Sequence, residues 1–186
     1  MTIPSKDQPL PASLGECLQL CEQVLCDSDV FYGHGTDNAW DEAVQLVLAA
    51  CDLPADSDAD VAQRPLQPQQ WQRVVSWLER RIKDRVPLPY LTGRAWFAGL
   101  QFQCDERALV PRSPLAELIL DDYRPWYAGD EPTHALDLCC GGGSIGIAAA
   151  VHNPGLRVDL SDVDANALAL ARQNVTLHGV ESRVSI

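Results

Sequence analysis

The chain is predicted to be an α/β protein: an N-terminal helical bundle, a β-hairpin linker, then the first half of a parallel, doubly wound sheet. Three observations carry this. Apolar residues recur at three- and four-residue steps through the first third. Prolines, glycines and aromatics then crowd one stretch after Pro87. From Thr133 onward, short apolar runs alternate in the order strand, helix, strand, helix, strand.

The elements follow in order. Leu14, Leu18, Cys21 and Leu25 mark a first helix. After the turn FYGHGTDN, Thr36 or Asp37 is placed to cap a second, carrying Trp40, Val44, Val47 and Leu48, with Asp41 and Glu42 near its positive end. Residues 55–70 mix acids, glutamines and prolines and are expected to form a loop or linker. A third helix from Trp71 to Val86 sets Val74, Trp77, Leu78 and Ile82 on one face, opposite Arg and Lys. Three helices with one apolar face each make a small bundle, so residues 1–86 form the first domain. Residues 87–113 form the hairpin linker, with Trp96, Phe97, Leu100 and Phe102 around a turn near Gly99. Residues 114–186 form the second domain. It opens with a helix from Pro114 to Tyr127, broken at Pro125, then THALDLCC as strand, SIGIAAAV as helix, LRVDLSDV as strand, DANALALARQNVTLHG as helix, and ESRVSI starting a strand.

Composition narrows the function. Apolar residues are 46% of 186, enough for a buried core. A net charge of −12 argues against direct binding to nucleic acid through its phosphates and suits a basic partner or a cationic ligand. The N-terminus MTIPSKDQPLPASLGE has no apolar signal region, and no apolar run approaches the roughly 20 residues of a membrane span. A cytoplasmic protein is expected. Seven cysteines include no C-x-x-C and no zinc spacing, so no metal is assigned. Cys17, Cys21 and Cys26 read as small apolar packing residues, and Cys139–Cys140 as reduced thiols.

HALDLCCGGGSIGIAAAV holds the chemistry. Gly141, Gly143 and Gly146 spell the G-x-G-x-x-G of a nucleotide loop. Asp137, however, stands four residues before Gly141. A carboxylate is a poor neighbour for a pyrophosphate and a good one for a cation. S-adenosylmethionine has no phosphate and carries a sulfonium and an amino group, so this spacing fits it better than NAD. Asp162 ends the next strand, 19 residues after Gly143, where a carboxylate can accept both ribose hydroxyls. That geometry supports a nucleoside without choosing which. Asp164 reads as a helix N-cap and Asp159 as a solvated strand residue. The alternative for the loop is a tight left-handed turn with no ligand.

This acid–glycine–acid trio resembles the class I methyltransferases. More narrowly, it resembles the bacterial family that methylates the side-chain amide of glutamine in translation proteins. FYGHGTDNAWDEAVQLVL (31–48), VPLPYLTGRAWFAGLQF (86–102) and DERALVPRSPLAELI (105–119) are similar to the branch acting on the third protein of the large ribosomal subunit. The sister branch, acting on release factors, reads P-R-P-[DE]-T-E where this chain has Pro111-Arg112-Ser113-Pro114-Leu115-Ala116-Glu117. The resemblance implies a Rossmann-like sheet, S-adenosylmethionine as donor, a large-subunit ribosomal protein as substrate, and donor contacts at Asp137, Cys139, Gly141, Gly142, Gly143 and Asp162.

Two departures stand out. The family loop D-L/M-G/C-T-G-S-G is DLCCGGG here, keeping Gly141 and Gly143. The family's N-P-P-Y, whose Asn and first Pro hold the acceptor amide, does not occur before Ile186. Catalysis of this kind is mostly positioning. No catalytic residue is therefore assigned, and this length alone is expected to transfer no methyl group. It is expected to bind donor weakly at best, and its first sheet strand to be an open edge that leads to self-association or needs a further segment to cover it. Phe97, beside Trp96, and Arg112, fixed between prolines, are candidate substrate-side residues; packing and a tie between hairpin and domain are their plainer readings. His34, His134, His152 and His178 are read as surface or capping groups, and Asp121–Asp122 as solvated. Alternatives are the release-factor branch and a non-catalytic module that docks a translation protein.

Overall fold

The computed structural model describes residues 3–5, 8–33, 35–130 and 132–186. The chain divides into two compact units, 1–92 and 93–186. His34 lies outside the described residues.

The first unit is built from α1 (Leu14–Cys26), α2 (Ala39–Ala50), a 3-10 turn (Ala59–Gln63), α3 (Pro68–Lys83) and the short α4 (Leu88–Thr92). Its core holds Leu18, Leu25, Leu46, Val74 and Leu78. Helix starts follow side-chain chemistry: Ser13 accepts from the Glu16 N–H, and Pro68 occupies the first position of α3. Two expectations need correction here. The cap of α2 is Asn38, whose side-chain Oδ1 accepts from the Asp41 N–H; Thr36 is buried and spends its hydroxyl on Glu42 instead. The buried face of α2 is wider than the predicted one: Val47 and Leu48 are buried and Val44 partly so, as expected, but Ala39, Glu42, Ala43 and Leu46 are inside as well, while Trp40 is 45% exposed. Cys17 and Cys21 are core residues as read, but Cys26 is exposed. The Cys17 thiol beside it, and then burial, push the Cys21 thiol well above its ordinary range.

The second unit begins with an antiparallel hairpin, β1 (Arg94–Phe97) and β2 (Leu100–Gln103). Pairing of Phe97 with Leu100 leaves a two-residue turn, Ala98–Gly99, with φ of +47° and +74°. Both signs positive is the turn whose twist matches paired strands. The hairpin packs through Phe97 and Phe102 into the same core as the sheet. Next come α5 (Leu115–Leu120), β3 (His134–Leu138), α6 (Ser144–His152), β4 (Arg157–Ser161), α7 (Ala165–Leu177) and β5 (Val184–Ser185). The predicted Pro114–Tyr127 helix is thus only six residues long. It ends where Asp122 and Tyr123 take positive φ, well before Pro125.

The sheet is parallel, in the order β3–β4–β5. α6 covers it through Ile147 and Ala150, and α7 through Ala171 and Val175. This is a Rossmann-like α/β arrangement of parallel strands linked by helices, as the sequence predicts. Among the described residues β3 is an edge strand: Leu136 and Leu138 are 64% and 69% exposed. A groove of about 580 Å³ opens beside it, lined by Ile119, Tyr123, Trp126, Leu136 and Ile145.

Candidate functional site

The glycine loop follows β3 and feeds α6, at the carboxyl end of the parallel strands where open α/β sheets bind ligands. Its path needs left-handed backbone three times: Cys139 (φ +61°), Gly141 (+55°) and Gly143 (+78°). At Cys139 that conformation is strained, because a Cβ is present. Gly146 serves a different purpose. A Cβ there would meet Leu160 and Val158 side chains at 2.5 and 2.9 Å, so its lack of a side chain lets α6 lie close on β4.

The two acids bracket this loop. Asp137 Oδ2 accepts the Gly146 N–H at 2.8 Å, one of the orphan donors in the first turn of α6. Its other oxygen has no hydrogen-bond partner among the described residues. Burial raises the Asp137 carboxyl above its ordinary range, the Gly146 N–H opposes this, and the nearby Asp162 charge adds to the rise. Asp162 accepts the Gly141 N–H at 2.8 Å through Oδ2 and the Asp164 N–H at 3.0 Å through Oδ1. Those backbone donors hold its carboxyl below the ordinary range. Each Asp162 oxygen keeps a lone pair for a further donor. Asp164 caps α7 by accepting from Asn166 N–H, and Asp159 is exposed.

The remaining loop residues sort by orientation. Gly141 faces open space, with only Ala108 within 3.6 Å of where a Cβ would stand. Gly143 is buried, and a Cβ there would press on Ile147, Leu160 and Ala171, so its constraint is packing beneath the loop. Gly142 sits close to Leu170 and Asn174. Cys139 is exposed; burial pushes the Cys140 thiol up to about 11.

The substrate-side candidates are not brought to this loop. Phe97 is 5% exposed and meets Phe102 edge-to-face at 6.5 Å, a core position that agrees with the plainer of its two readings, packing. Its neighbour Trp96 is the outward one, 49% exposed. Arg112 is exposed and makes no hydrogen bond or ion pair among the described residues, so it does not tie the hairpin to the sheet. His152 Nε2 stands 2.8 Å from the Ala98 carbonyl, and His178 packs on Phe102 at 4.7 Å. His134 is exposed.

Sequence reading missed Asn174. It is 1% exposed and reaches both the loop and the hairpin. The available signal was a polar residue on the apolar stripe of α7, between Leu170–Ala171 and Val175. Among the described residues no cluster of three or more His, Cys, Asp or Glu is placed to hold a metal, and no helix is long and apolar enough to cross a membrane.

A sulfonium-bearing nucleoside fits this donor set. Residues 137–146 and 160–165 contain two inward carboxylates and neither Lys nor Arg, so a pyrophosphate would meet charge of its own sign. Residues 127–186 match the family model described as Methyltransferase small domain. The chain is similar, at 50% identity over 158 residues, to the ribosomal protein uL3 glutamine methyltransferase of Xylella fastidiosa (strain Temecula1); the match covers 83% of this chain and 51% of that protein. The same-named protein of strain 9a5c is 49% identical over the same shares. That of Xanthomonas campestris pv. campestris is 50% identical over 148 residues, 80% of this chain and 48% of its own. Homologues of this chain are thus curated as uL3 glutamine methyltransferases, and the chain spans about half the length of the relatives it matches.

Proposed function

We propose that this chain holds the donor-binding half of an S-adenosylmethionine-dependent enzyme that methylates a glutamine side-chain amide of ribosomal protein uL3, in the cytoplasm. The observation that supports it best is the pair of carboxylates around a glycine loop that lacks any basic side chain. The printed name of the relatives, ribosomal protein uL3 glutamine methyltransferase, supports uL3 as the substrate. When bound, the donor supplies an electrophilic methyl group next to a positive sulfur. The chain's own residues do the holding. The free oxygen of Asp137 would serve a cationic group of the donor, the remaining lone pairs of Asp162 would accept from its hydroxyls, and the bare backbone at Gly141 would leave room for it. Residues 1–86 serve docking of the acceptor protein: they have an apolar core of their own, and their buried polar side chains Thr36, Glu42 and Arg81 are spent on one another.

Calorimetric titration tests the donor site directly. S-adenosylmethionine and S-adenosylhomocysteine should bind, and NAD should not; the reverse result would end this reading. For the substrate, purified uL3 is incubated with methyl-labelled donor and the protein extended to its relatives' length, and the modified peptide is sequenced by mass spectrometry. Label on a release factor instead of uL3 would move the chain to the sister branch. Deleting residues 1–86 should leave donor affinity near its original value and remove uL3 methylation.

A further inference from the structure

The Asn174 side chain uses three hydrogen-bonding positions on two separate parts of the second unit. Oδ1 accepts the Gln103 N–H at 2.8 Å, and Nδ2 donates to the Gln103 carbonyl at 3.2 Å. The same Nδ2 donates to the Gly142 carbonyl at 2.9 Å. A buried amide leaves few alternatives to these partners, since an unsatisfied polar group inside a protein is costly. Asn174 therefore mimics a strand partner at the end of β2 and reaches the centre of the glycine loop with its second N–H.

The consequence shows in the peptide planes of the loop. The Cys140–Gly141 peptide is held at both ends: the Gly141 N–H goes to Asp162, and the Cys140 carbonyl accepts the Gly143 N–H at 2.8 Å. The Gly142–Gly143 peptide is held at both ends too, by that same Gly143 N–H and by Asn174 on the Gly142 carbonyl. Between them lies the Gly141–Gly142 peptide, whose Gly142 N–H has no partner among the described residues. Glycines on both sides give this segment wide rotational freedom, which those end bonds restrict, together with a weak Cys140 thiol donation to the Gly141 carbonyl at 3.7 Å. The chain after β2 is anchored beside the loop as well: Arg107 donates to Gln173 at 2.8 Å, and Ala108 stands nearest to Gly141.

From this we propose that Asn174 is a positioning residue of the donor site. It fixes the Gly142 carbonyl so that the Gly141–Gly142 peptide presents its free N–H to the ligand, and it keeps the hairpin end and the donor loop in one register. The inference rests on the donor-site reading above. It adds a coupling: movement of the Gln103 end of the hairpin is transmitted directly to the Gly142 carbonyl through the Asn174 side chain.

Asn174→Asp tests it, because the shape and the acceptor for Gln103 N–H are kept while both donated N–H bonds are lost. S-adenosylhomocysteine is titrated into the chain to millimolar concentration, and backbone amide resonances of Gly141, Gly142 and Gly143 are followed by NMR. A control variant, Val180→Ala, removes core packing in the same unit without touching the loop. Asn174→Asp should weaken binding at least tenfold and move the three glycine resonances before any ligand is added. Val180→Ala, compared at a matched margin below its own melting temperature, should leave affinity and glycine resonances as they were. Equal losses in both variants would reduce Asn174 to general stability, and unchanged affinity in Asn174→Asp would likewise overturn the proposal. If the unsubstituted chain binds no S-adenosylhomocysteine at all, the donor-site reading falls first and the proposal with it.

Discussion

The two units treat their polar and apolar groups in opposite ways. In the first, the apolar helix faces are buried against one another, and even a charged pair is taken inside. Arg81 and Glu42 are 4% and 2% exposed and bonded to each other, with Thr36 on the carboxylate and the Phe31 carbonyl on the guanidinium. In the second, β4 alternates exposed and buried residues while β3 buries none of its side chains fully. The first unit encloses its core, whereas the second leaves an apolar strand and a groove facing outward. The difference teaches where each unit is vulnerable. Removing one internal partner harms the first; the second tolerates change at its edge and not beneath its glycine loop.

The largest effect should come from splitting the internal pair. Glu42→Ala strands Arg81 without its counter-charge, and breaking such a pair costs about 3–5 kcal/mol. Scanning calorimetry should show the transition of residues 1–92 falling sharply while that of residues 93–186 stays in place. Replacing both partners together, as Glu42→Gln with Arg81→Met, should recover much of the loss. A drop of under about 1 kcal/mol for Glu42→Ala would mean the pair is hydrated, and the contrast between the units would lose its basis.

Next in size is the hairpin. Phe97→Ala empties a core position, at about 3–5 kcal/mol. Trp96→Ala, on the outward side, should change stability by no more than about 0.5 kcal/mol. Urea unfolding of the two variants separates packing from ligand contact: a stable Phe97→Ala protein with weakened ligand affinity would return Phe97 to the site wall.

How far the sequence could be read depends on which residues did the signalling. Runs with a single period were legible. The sheet alternation from Thr133, the Gly99 turn and the Asp164 cap all rest on local rules, and the structure forms each of them. Asp137 and Asp162 stand at the glycine loop as their spacing suggests, and both hydrogen-bond the loop or the helix it starts; their role toward a donor belongs to the proposal. What escaped was every polar residue on an apolar stripe. Glu42 among Ala39, Ala43 and Leu46, Arg81 beside Leu78 and Ile82, and Asn174 beside Ala171 and Val175 all look like solvent residues until a partner distant in sequence is known. Arg81 finds Glu42 and Asn174 finds Gln103, and periodicity contains no record of either pairing. The short α5 escaped for a similar reason. Its end is set by positive φ at two non-glycine residues, which no turn rule would place there.

A smaller effect distinguishes the two acids of the loop. Asp137 has a raised carboxyl pKa, so its charged form opposes folding, and that opposition grows as pH rises from about 4 through the folded value. Asp162 has a lowered one, so its stabilising contribution is full above about 4 and disappears as pH falls through its folded value. Asp137→Asn keeps an acceptor for the Gly146 N–H and removes the charge. Its melting temperature should equal or exceed that of the unsubstituted chain at pH 7, with the gap closing toward pH 3. Donor affinity should nonetheless fall about tenfold or more, as expected when a charge-assisted contact is lost. Asp162→Asn should lower both, since an amide offers only one acceptor to two backbone N–H groups. A destabilised Asp137→Asn protein would show that the carboxylate is kept for the fold.

The smallest effect on stability, and the sharpest check on the contrast between the units, is at the sheet edge. Leu136 and Leu138 expose most of their side chains, so Leu136→Lys and Leu138→Lys remove few contacts and should shift stability by about 0.5 kcal/mol or less. The same change one strand inward, Val158→Lys, places an ammonium in a site 1% exposed and should unfold the unit. An unpaired apolar edge is also a template for another chain, and lysine on an edge strand opposes that pairing by charge. Sedimentation velocity across a range of concentrations should therefore show self-association of the unsubstituted chain, weakened in the double lysine variant. If the double variant instead loses more than about 2 kcal/mol, the edge is covered in solution, and β3 has to be counted with the enclosed strands.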